Sequence, residues 1–401
     1  MMKEDFLSKW HAFQQKADRL NTVIMDHLPK DLTARNLLIF CVLSLLCLGT
    51  VMVASASMPY AERINDNPMH YITRHLMYVG LSSIAVAVAY NIKLQYWFGK
   101  ATIMLWLGTV ALLLAVLIIG KDVNGSKRWL SLAGFTFQPS ELAKFSMAVF
   151  TADYVVRRGG EVRDNFWSFL RLCIPVGTTV ALIMLEPDLG ASAVIILTMW
   201  AVFFLAGASA RAFLILLGVL FSLLCMFIYI EPYRYERLMS FSDPWQDPQG
   251  KGYQLAQSLM AFGRGEWFGT GLGQSVQKLA YLPEAHTDFM LAVTAEELGF
   301  IGISILFILS FLMVGSCMRI GHRALANNHL RSGYLAYGIG IIFLLQICVN
   351  GGMNMGLIPT KGLTLPFISY GGSSLLICAF MIGVIFKIDK DTSEKTVEKF
   401  T

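Results

Sequence analysis

The sequence predicts an all-α integral membrane protein of about ten transmembrane helices, with one large extracytoplasmic loop between the seventh and the eighth. Three observations carry this. The chain of 401 residues is 55% hydrophobic and only 15% charged, with a mean hydropathy of +0.57, well outside the range of soluble globular domains. Its apolar residues gather into runs near 37–56, 75–92, 101–119, 140–156, 167–185, 190–206, 212–230, 289–317, 333–355 and 371–388, each close to the ~20 residues that cross a hydrocarbon core of about 30 Å as a helix. None of these runs alternates apolar and polar positions as barrel strands do, and a backbone inside lipid must close its own hydrogen bonds.

Residues 1–35 precede the first run as a charged cytoplasmic leader, 36–388 form the ten-span domain, and 389–401 form a cytoplasmic tail. Within the leader, Phe6, Trp10, Phe13, Ala17, Leu20, Ile24 and Leu28 recur at three- and four-residue steps, the pattern of an amphipathic helix. It is read as lying on the membrane surface or docking a cytoplasmic partner. The first apolar run is long enough to span, so it is expected to be a retained anchor and not a cleaved signal. All seven cysteines (Cys41, Cys47, Cys173, Cys225, Cys317, Cys348 and Cys378) fall inside apolar runs, where thiols serve as small packing groups.

Basic residues in short loops set the orientation. Arg157, Arg158 and Arg163 follow the fourth run, Arg211 the sixth, and Arg319, Arg323 and Arg331 the eighth. Both termini are then cytoplasmic, and the segments 120–139, 185–190, 231–288 and 357–370 lie outside. The net charge of +5 follows from this topology and gives no argument for nucleic acid. No GxxxxGK[ST] phosphate loop, strand–GxGxxG–helix unit or HExxH motif occurs, which excludes the familiar nucleotide and zinc-protease sites. The glycine-rich stretch 263–273 has amides that could cradle an anion, but with no strand before it the stretch reads as a flexible loop.

The outer segments hold the chemistry. Lys121, Lys127 and Arg128, followed by Trp129, put three cations where outer loops are poor in Lys and Arg. Either an anionic ligand such as a pyrophosphate is gripped by Arg128, with Trp129 as an interfacial wedge, or the loop touches lipid headgroups. Glu141 and Lys144 share a helix face three residues apart, and Lys144 enters the membrane by about one turn. Such a group faces a bundle interior or a cavity, as half of a structural pair or aimed at a phosphate. Glu186 and Asp188 flank a turn in which Asp188 reads as a helix cap. Lys361 stands alone in a Gly/Pro/hydroxyl-rich segment that runs through Ser369 and must be folded into protein or line a cavity. His286 and Asp288 sit at the outer mouth of the eighth run. A carboxylate there is partly desolvated and becomes a better base near neutral pH, though an acid at a helix N-terminus is also accounted for by the helix dipole.

The strings NGSKRW (124–129), QPSELAK (138–144), EPDLG (186–190), DPWQDPQGKGYQLAQSLMAFGRG (243–265), GLGQSVQKLAYLPEAHTDFMLAV (271–293), EELG (296–299) and PTKGLTLPFISYGGSS (359–374) follow one another in this order. Together they resemble the SEDS family of shape, elongation, division and sporulation proteins over nearly the whole chain. Residues 243–248 and 274–289 are more similar to its division members than to its elongation members. The resemblance implies a peptidoglycan glycosyltransferase that polymerises lipid II, partnered by a class B penicillin-binding transpeptidase and other division proteins in the inner membrane at the septum. It implies Asp288 as the catalytic residue, and Arg128, Lys144 and Lys361 as family motif positions. Met290-Leu291 departs from the usual pattern in packing alone.

On this reading the lipid-linked growing glycan is the donor and a new lipid II supplies the attacking 4-hydroxyl, whose proton passes to Asp288. Arg128, Lys144 and Lys361 would meet the charge of the departing pyrophosphate, directly or with a divalent cation, Mg or Mn. Trp129, Glu141, His286 and Ser369 complete the expected substrate-binding set. A β-1,4 linkage formed with inversion is what the family implies. Two other classes fit the same span pattern: a lipid II flippase and a noncatalytic scaffold of the division machinery. The concentration of candidate chemistry on the outer side distinguishes the enzyme.

Overall fold

A computed structural model describes residues 33–393, apart from 124–125, 133–134, 165, 208–217, 219–240, 242, 251, 280 and 360–361. The leader helix read over residues 6–28, the run at 212–230, Cys225 and Lys361 lie outside the described residues.

Elsewhere the apolar runs become helices. α1 (Ala34–Asn65) begins at Thr33, whose Oγ1 accepts the Asn36 amide at 3.2 Å, and ends at Asp66 in the left-handed conformation. Its 32 residues extend about 48 Å, so its last turns stand clear of the hydrocarbon. α2 (His70–Asn91), α3 (Lys100–Ile119), α4 (Pro139–Arg157), α5 (Gly159–Asp164), α6 (Phe166–Leu185) and α7 (Leu189–Leu205) follow. After them come α8 (Tyr253–Gly265), α9 (Met290–Ala326), α10 (Leu330–Asn354) and α11 (Gly372–Ser393). Among the described residues, α1, α2, α3, α9, α10 and α11 are long and apolar enough to cross a membrane. The chain is a multi-pass membrane protein.

Two packed groups of helices meet at α4 and α10. One holds α1, α2, α9, α10 and α11, and the other holds α3, α4, α6 and α7. α4 is buried along almost its whole length, which is why it tolerates Glu141, Lys144 and Asp153: none of them meets lipid. Small residues let α9 and α10 approach closely, with Gly333 set against the carbonyl of Gly321, as expected where lipid leaves no hydrophobic drive between helices.

The chain is mostly helical, not wholly so. Residues 120–139, expected as a loop, contain three short antiparallel strands, β1 (Lys121–Val123), β2 (Ser126–Leu132) and β3 (Phe135–Phe137), in the order β1-β2-β3. Leu130 pairs with Phe137 and Ser131 with Thr136, so apolar and polar positions alternate across the ladder with the period of a sheet. Leu130 is buried, and the sheet packs on α3 and α4.

The eighth run is also broken. α9 carries Gly299 at φ 66, ψ −166 inside it, a conformation open to glycine and costly for other residues. The backbone groups freed at the break are satisfied by the chain after α8. Thr270 N and Gly271 N donate to the carbonyls of Glu296 and Glu297, while Phe300 N and Ile301 N donate to those of Glu266 and Trp267. The glycine-rich stretch is therefore not a flexible loop or an anion cradle. It is a close backbone crossing in which Gly265 lies against Ala295 and Gly269 against Glu297.

Hydrogen bonds separate the two ends of the bundle. Asp153 joins Arg157, Arg331 and the amide of Gly99 at one end, and Arg323 pairs with Asp389 there. The sheet, the α6–α7 turn and the starts of α9 and α11 gather at the other end.

Candidate active site

At that second end three short segments converge, and each is shaped by local rules. The first is the turn between α6 and α7. Asp188 caps α7, its Oδ1 accepting the Ala191 amide at 3.0 Å, and its Oδ2 accepts from Ser140 Oγ at 3.2 Å and Gln138 Nε2 at 3.3 Å. Capping, the sober reading of Asp188, is correct, and the same carboxylate also ties the turn to the first turn of α4. Arg128 of β2 donates Nε to the carbonyl of Glu186 at 2.9 Å and Nη2 to that of Pro187 at 2.7 Å. Its guanidinium fork thus holds the turn. Trp129 is half-buried beside it on β2, paired in register with Lys121.

The second segment leads into α9. Thr287 N and Phe289 N both donate to the carbonyl of Glu284, which stands at φ 56, and Thr287 Oγ1 donates to Glu284 Oε2 at 2.8 Å. This turn delivers Asp288 to the mouth of the helix. The Asp288 carbonyl accepts from Asn350 Nδ2 at 3.0 Å and Asn354 Nδ2 at 3.1 Å, both on α10. The residue as a whole is half-buried, and protein surrounds its carboxylate closely enough to raise its pKa from 3.8 to about 7. Desolvation is the main cause; Glu284 and Asp188 push in the same direction and Arg128 opposes them. An aspartate in that range is half ionised at neutral pH and strong enough as a base to take a hydroxyl proton in a transition state.

The third segment is 362–371. Asn350 Nδ2 also donates to the Leu363 carbonyl at 2.6 Å, so one buried amide joins this segment to Asp288. Ser369 is buried, and its Oγ accepts the Leu365 amide at 3.0 Å, closing the segment on itself. Thr364 Oγ1 donates to Ser374 Oγ at 2.9 Å, and Tyr370 N donates to the His286 carbonyl at 2.9 Å. Gly362 lies over the acid: a Cβ there would come within 3.0 Å of Asp288 Oδ2. As its composition suggested, the segment is folded into protein from Leu363 to Ser369.

The remaining sequence-predicted residues fall on either side. Lys144 is fully buried, with Nζ 2.8 Å from Glu141 Oε1, and stands one turn along α4 from Ser140, which reaches Asp188. His286 is buried against Tyr60, Tyr71 and Tyr370, and burial lowers its pKa, so the neutral imidazole prevails near pH 7. Glu186 is buried with both carboxylate oxygens unpartnered among the described residues. Desolvation, reinforced by Asp188 and opposed by Arg128, raises its pKa to about 8.

Two sets of residues escaped the sequence reading. Asn350 and Asn354 were legible as amides four apart in an apolar run, buried in the structure. The second set is a polar core under the site. Glu297 Oε1 lies 2.7 Å from Lys278 Nζ and also accepts from Ser55 Oγ of α1 at 2.7 Å. Glu296 accepts from Ser275 Oγ and from the amides of Val276 and Gln277. These bonds fix the outer part of α9 to the chain before it.

Comparison with known proteins agrees with this arrangement. The chain is 61% identical over 370 residues to the probable peptidoglycan glycosyltransferase FtsW of Acinetobacter baylyi, covering 92% of each. It is 43% identical over 363 residues to the protein of the same name from Escherichia coli, covering 90% of this chain and 87% of that one. Its fold is similar to a chain from a structure titled "Structural coordination of polymerization and crosslinking by a peptidoglycan synthase complex", with a TM-score of 0.74 and 27% identity over 88% of this chain and 97% of that one. It is also similar to the rod shape determining protein RodA of Thermus thermophilus, with a TM-score of 0.63 and 25% identity over 88% and 96%. The family model for FtsW, RodA and SpoVE, described as cell cycle protein, matches residues 35–394, and the chain belongs to that family.

Proposed function

We propose that this protein polymerises lipid II into β-1,4 glycan strands at the division septum, releasing undecaprenyl pyrophosphate, with Asp288 as general base. The observation that carries the reading is Asp288 itself. It is a half-buried aspartate whose pKa is lifted to about 7, placed by Asn350 and Asn354 where three segments of the same end converge. The relatives named as peptidoglycan glycosyltransferases supply the substrate class.

In the reaction the 4-hydroxyl oxygen of the incoming lipid II bonds to the anomeric carbon of the lipid-linked glycan. The carbon–oxygen bond to the pyrophosphate breaks, and the hydroxyl proton passes to Asp288. Attack opposite the leaving group inverts the anomeric carbon. The departing pyrophosphate carries the negative charge. Arg128 lies close enough for its charge to be felt at Asp288, Lys144 stands one turn below the Ser140–Asp188 link, and Lys361 adjoins Gly362, which overlies the Asp288 carboxylate. Among the described residues no three His, Cys, Asp or Glu side chains are grouped to hold a metal ion. A divalent cation, Mg or Mn, would supply neutralisation of the pyrophosphate charge beside these cationic side chains.

With about ten spans and both termini cytoplasmic, this end would face the periplasm of an inner-membrane protein. There lipid tails can lie between helices while the sugars reach Asp288. The synthase-complex neighbour couples polymerisation with crosslinking, which supports a class B penicillin-binding transpeptidase as partner within the division machinery. The purified full chain with that partner, supplied with lipid II in detergent, should form glycan strands, and Asp288→Asn should form none while still inserting and binding the partner. Near-normal strands from Asp288→Asn would remove Asp288 from the chemistry. Absence of strands from the native protein, with lipid II crossing vesicle membranes instead, would favour a flippase.

A further inference from the structure

Beside Asp288 four aromatic rings from four separate elements surround one another. Tyr60 of α1 lies 5.0 Å from His286 and 5.7 Å from Tyr71 of α2. Tyr71 lies 5.0 Å from His286 and 5.4 Å from Tyr370, and His286 lies 5.8 Å from Tyr370. His286 is enclosed, but Tyr60 is 37% exposed and Tyr71 half-buried, so part of the cluster faces outward. Its rim is charged. Arg74, exposed on α2 one turn from Tyr71, acts electrostatically on the Tyr370 hydroxyl. Glu284, also exposed, acts electrostatically on Tyr71, His286 and Asp288 alike. Tyr60 stands beyond the length of α1 that hydrocarbon can cover, and a rim of Arg and Glu is poorly suited to acyl chains.

We propose that Tyr60 and Tyr71, rimmed by Arg74 and Glu284, form a saccharide-stacking platform that seats an N-acetylhexosamine ring of the substrate next to Asp288. This rests on the glycosyltransferase reading and names the subsite through which that site holds its sugar. A pyranose presents a face of C–H groups flanked by hydroxyl and amide groups. The C–H face matches the electron-rich face of a tyrosine, and a guanidinium and a carboxylate at the rim match the hydroxyls. His286 serves as a positioning residue: its imidazole packs against both tyrosines while its carbonyl holds Tyr370. Thr287, the one residue between His286 and Asp288, fixes the distance from platform to base.

The test uses the full chain in detergent and two readouts. In the first, the lipid-free disaccharide N-acetylglucosaminyl-N-acetylmuramic acid is offered, and saturation-transfer NMR reports which sugar protons touch protein. Transfer to pyranose ring protons should occur with the native protein and with Asp288→Asn, and should fall strongly in the Tyr60→Leu/Tyr71→Leu double variant. In the second, lipid II polymerisation is followed against substrate concentration. Each single leucine variant should raise the half-saturating concentration about 3- to 10-fold, with a much smaller change in turnover at saturation, and phenylalanine at the same position should recover most of the loss. Undiminished transfer in the double variant, or leucine variants with unchanged half-saturation, would overturn the platform and leave the glycosyltransferase reading intact. Tyrosine-dependent sugar binding by a chain that forms no glycan would support the platform and sink the polymerase reading. Equal losses in the leucine and phenylalanine variants would mean that the hydroxyls and not the ring faces matter, which also overturns it.

Discussion

The pH dependence of polymerisation follows from Asp288. With its pKa raised to about 7, the fraction of Asp288 in the basic form is about one tenth at pH 6 and about nine tenths at pH 8. If that fraction limits the chemical step, kcat/KM rises about tenfold between those values and levels off above. An aspartate at its ordinary pKa would be ionised throughout and give a flat profile. Burial lowers the pKa of His286 from its ordinary value, away from the upper part of this window. Glu186, at about 8, lies inside it, so the measurement needs Glu186→Gln, in which a midpoint near 7 must persist. The assay is initial-rate glycan synthesis by the full chain with its partner from pH 5.5 to 9, at lipid II well below half-saturation. A flat profile, or a midpoint that disappears with Glu186, would refute the assignment of Asp288. The stability sign runs the other way. A carboxyl group whose folded pKa exceeds its unfolded value holds more protons in the folded state, so its contribution is present at low pH and declines as pH rises from about 4 to about 7. Asp288→Asn should therefore flatten part of any loss of thermal stability over that range.

Gly362→Ala would set a methyl group 3.0 Å from Asp288 Oδ2 and displace the base, lowering turnover about tenfold or more without altering the amount of inserted protein on a gel. Gly299→Ala forces an alanine to φ 66 beside the Phe268–Gly269 backbone; strain alone should cost about 1–3 kcal/mol, read as a lower melting temperature in detergent. Lys144→Met leaves Glu141 buried without its partner and should destabilise the fold by about 3–5 kcal/mol. Adding Glu141→Gln should restore part of that stability in the same melt, but not the polymerisation.

Much of this architecture was legible because helices in lipid announce themselves locally. The boundaries expected at 101–119 and 371–388 fall within a residue or a few of α3 and α11, since a run of apolar residues is both the signal and the cause. What escaped depends on partners distant in the chain. Arg128 was legible as an anomalous outer cation, but its contacts are the carbonyls of Glu186 and Pro187, which no local period encodes. The break at Gly299 was hidden because hydropathy continues across it; the two adjacent glutamates, Glu296 and Glu297, were the available sign. The sheet at 121–137 was missed because its strands are too short for alternation to stand out. Tyr60 and Tyr71 carry no local signal of a shared role, and only the meeting of α1 and α2 with His286 gives them a common target.

The break at Gly299 and the position of Asp288 belong to one design. A straight α9 would leave the first turns free to pivot with the rest of a 37-residue helix. Interrupting it exposes carbonyls and amides that the 266–271 segment pairs, and the two glutamates just before the break recruit Ser275 and Lys278 from the chain that follows that segment and Ser55 from α1. The stretch from Met290 to Leu298 is thus held at its inner end by backbone pairing and a buried ion pair, and at its outer end by Asn350 and Asn354. Buried ionic groups are weak sources of net stability, but they discriminate strongly between correct and incorrect seating, because a misplaced charge in the interior is left unpaired. The carboxylate at the tip gains a fixed position from that discrimination, and general-base catalysis needs fixed position more than it needs a stable helix.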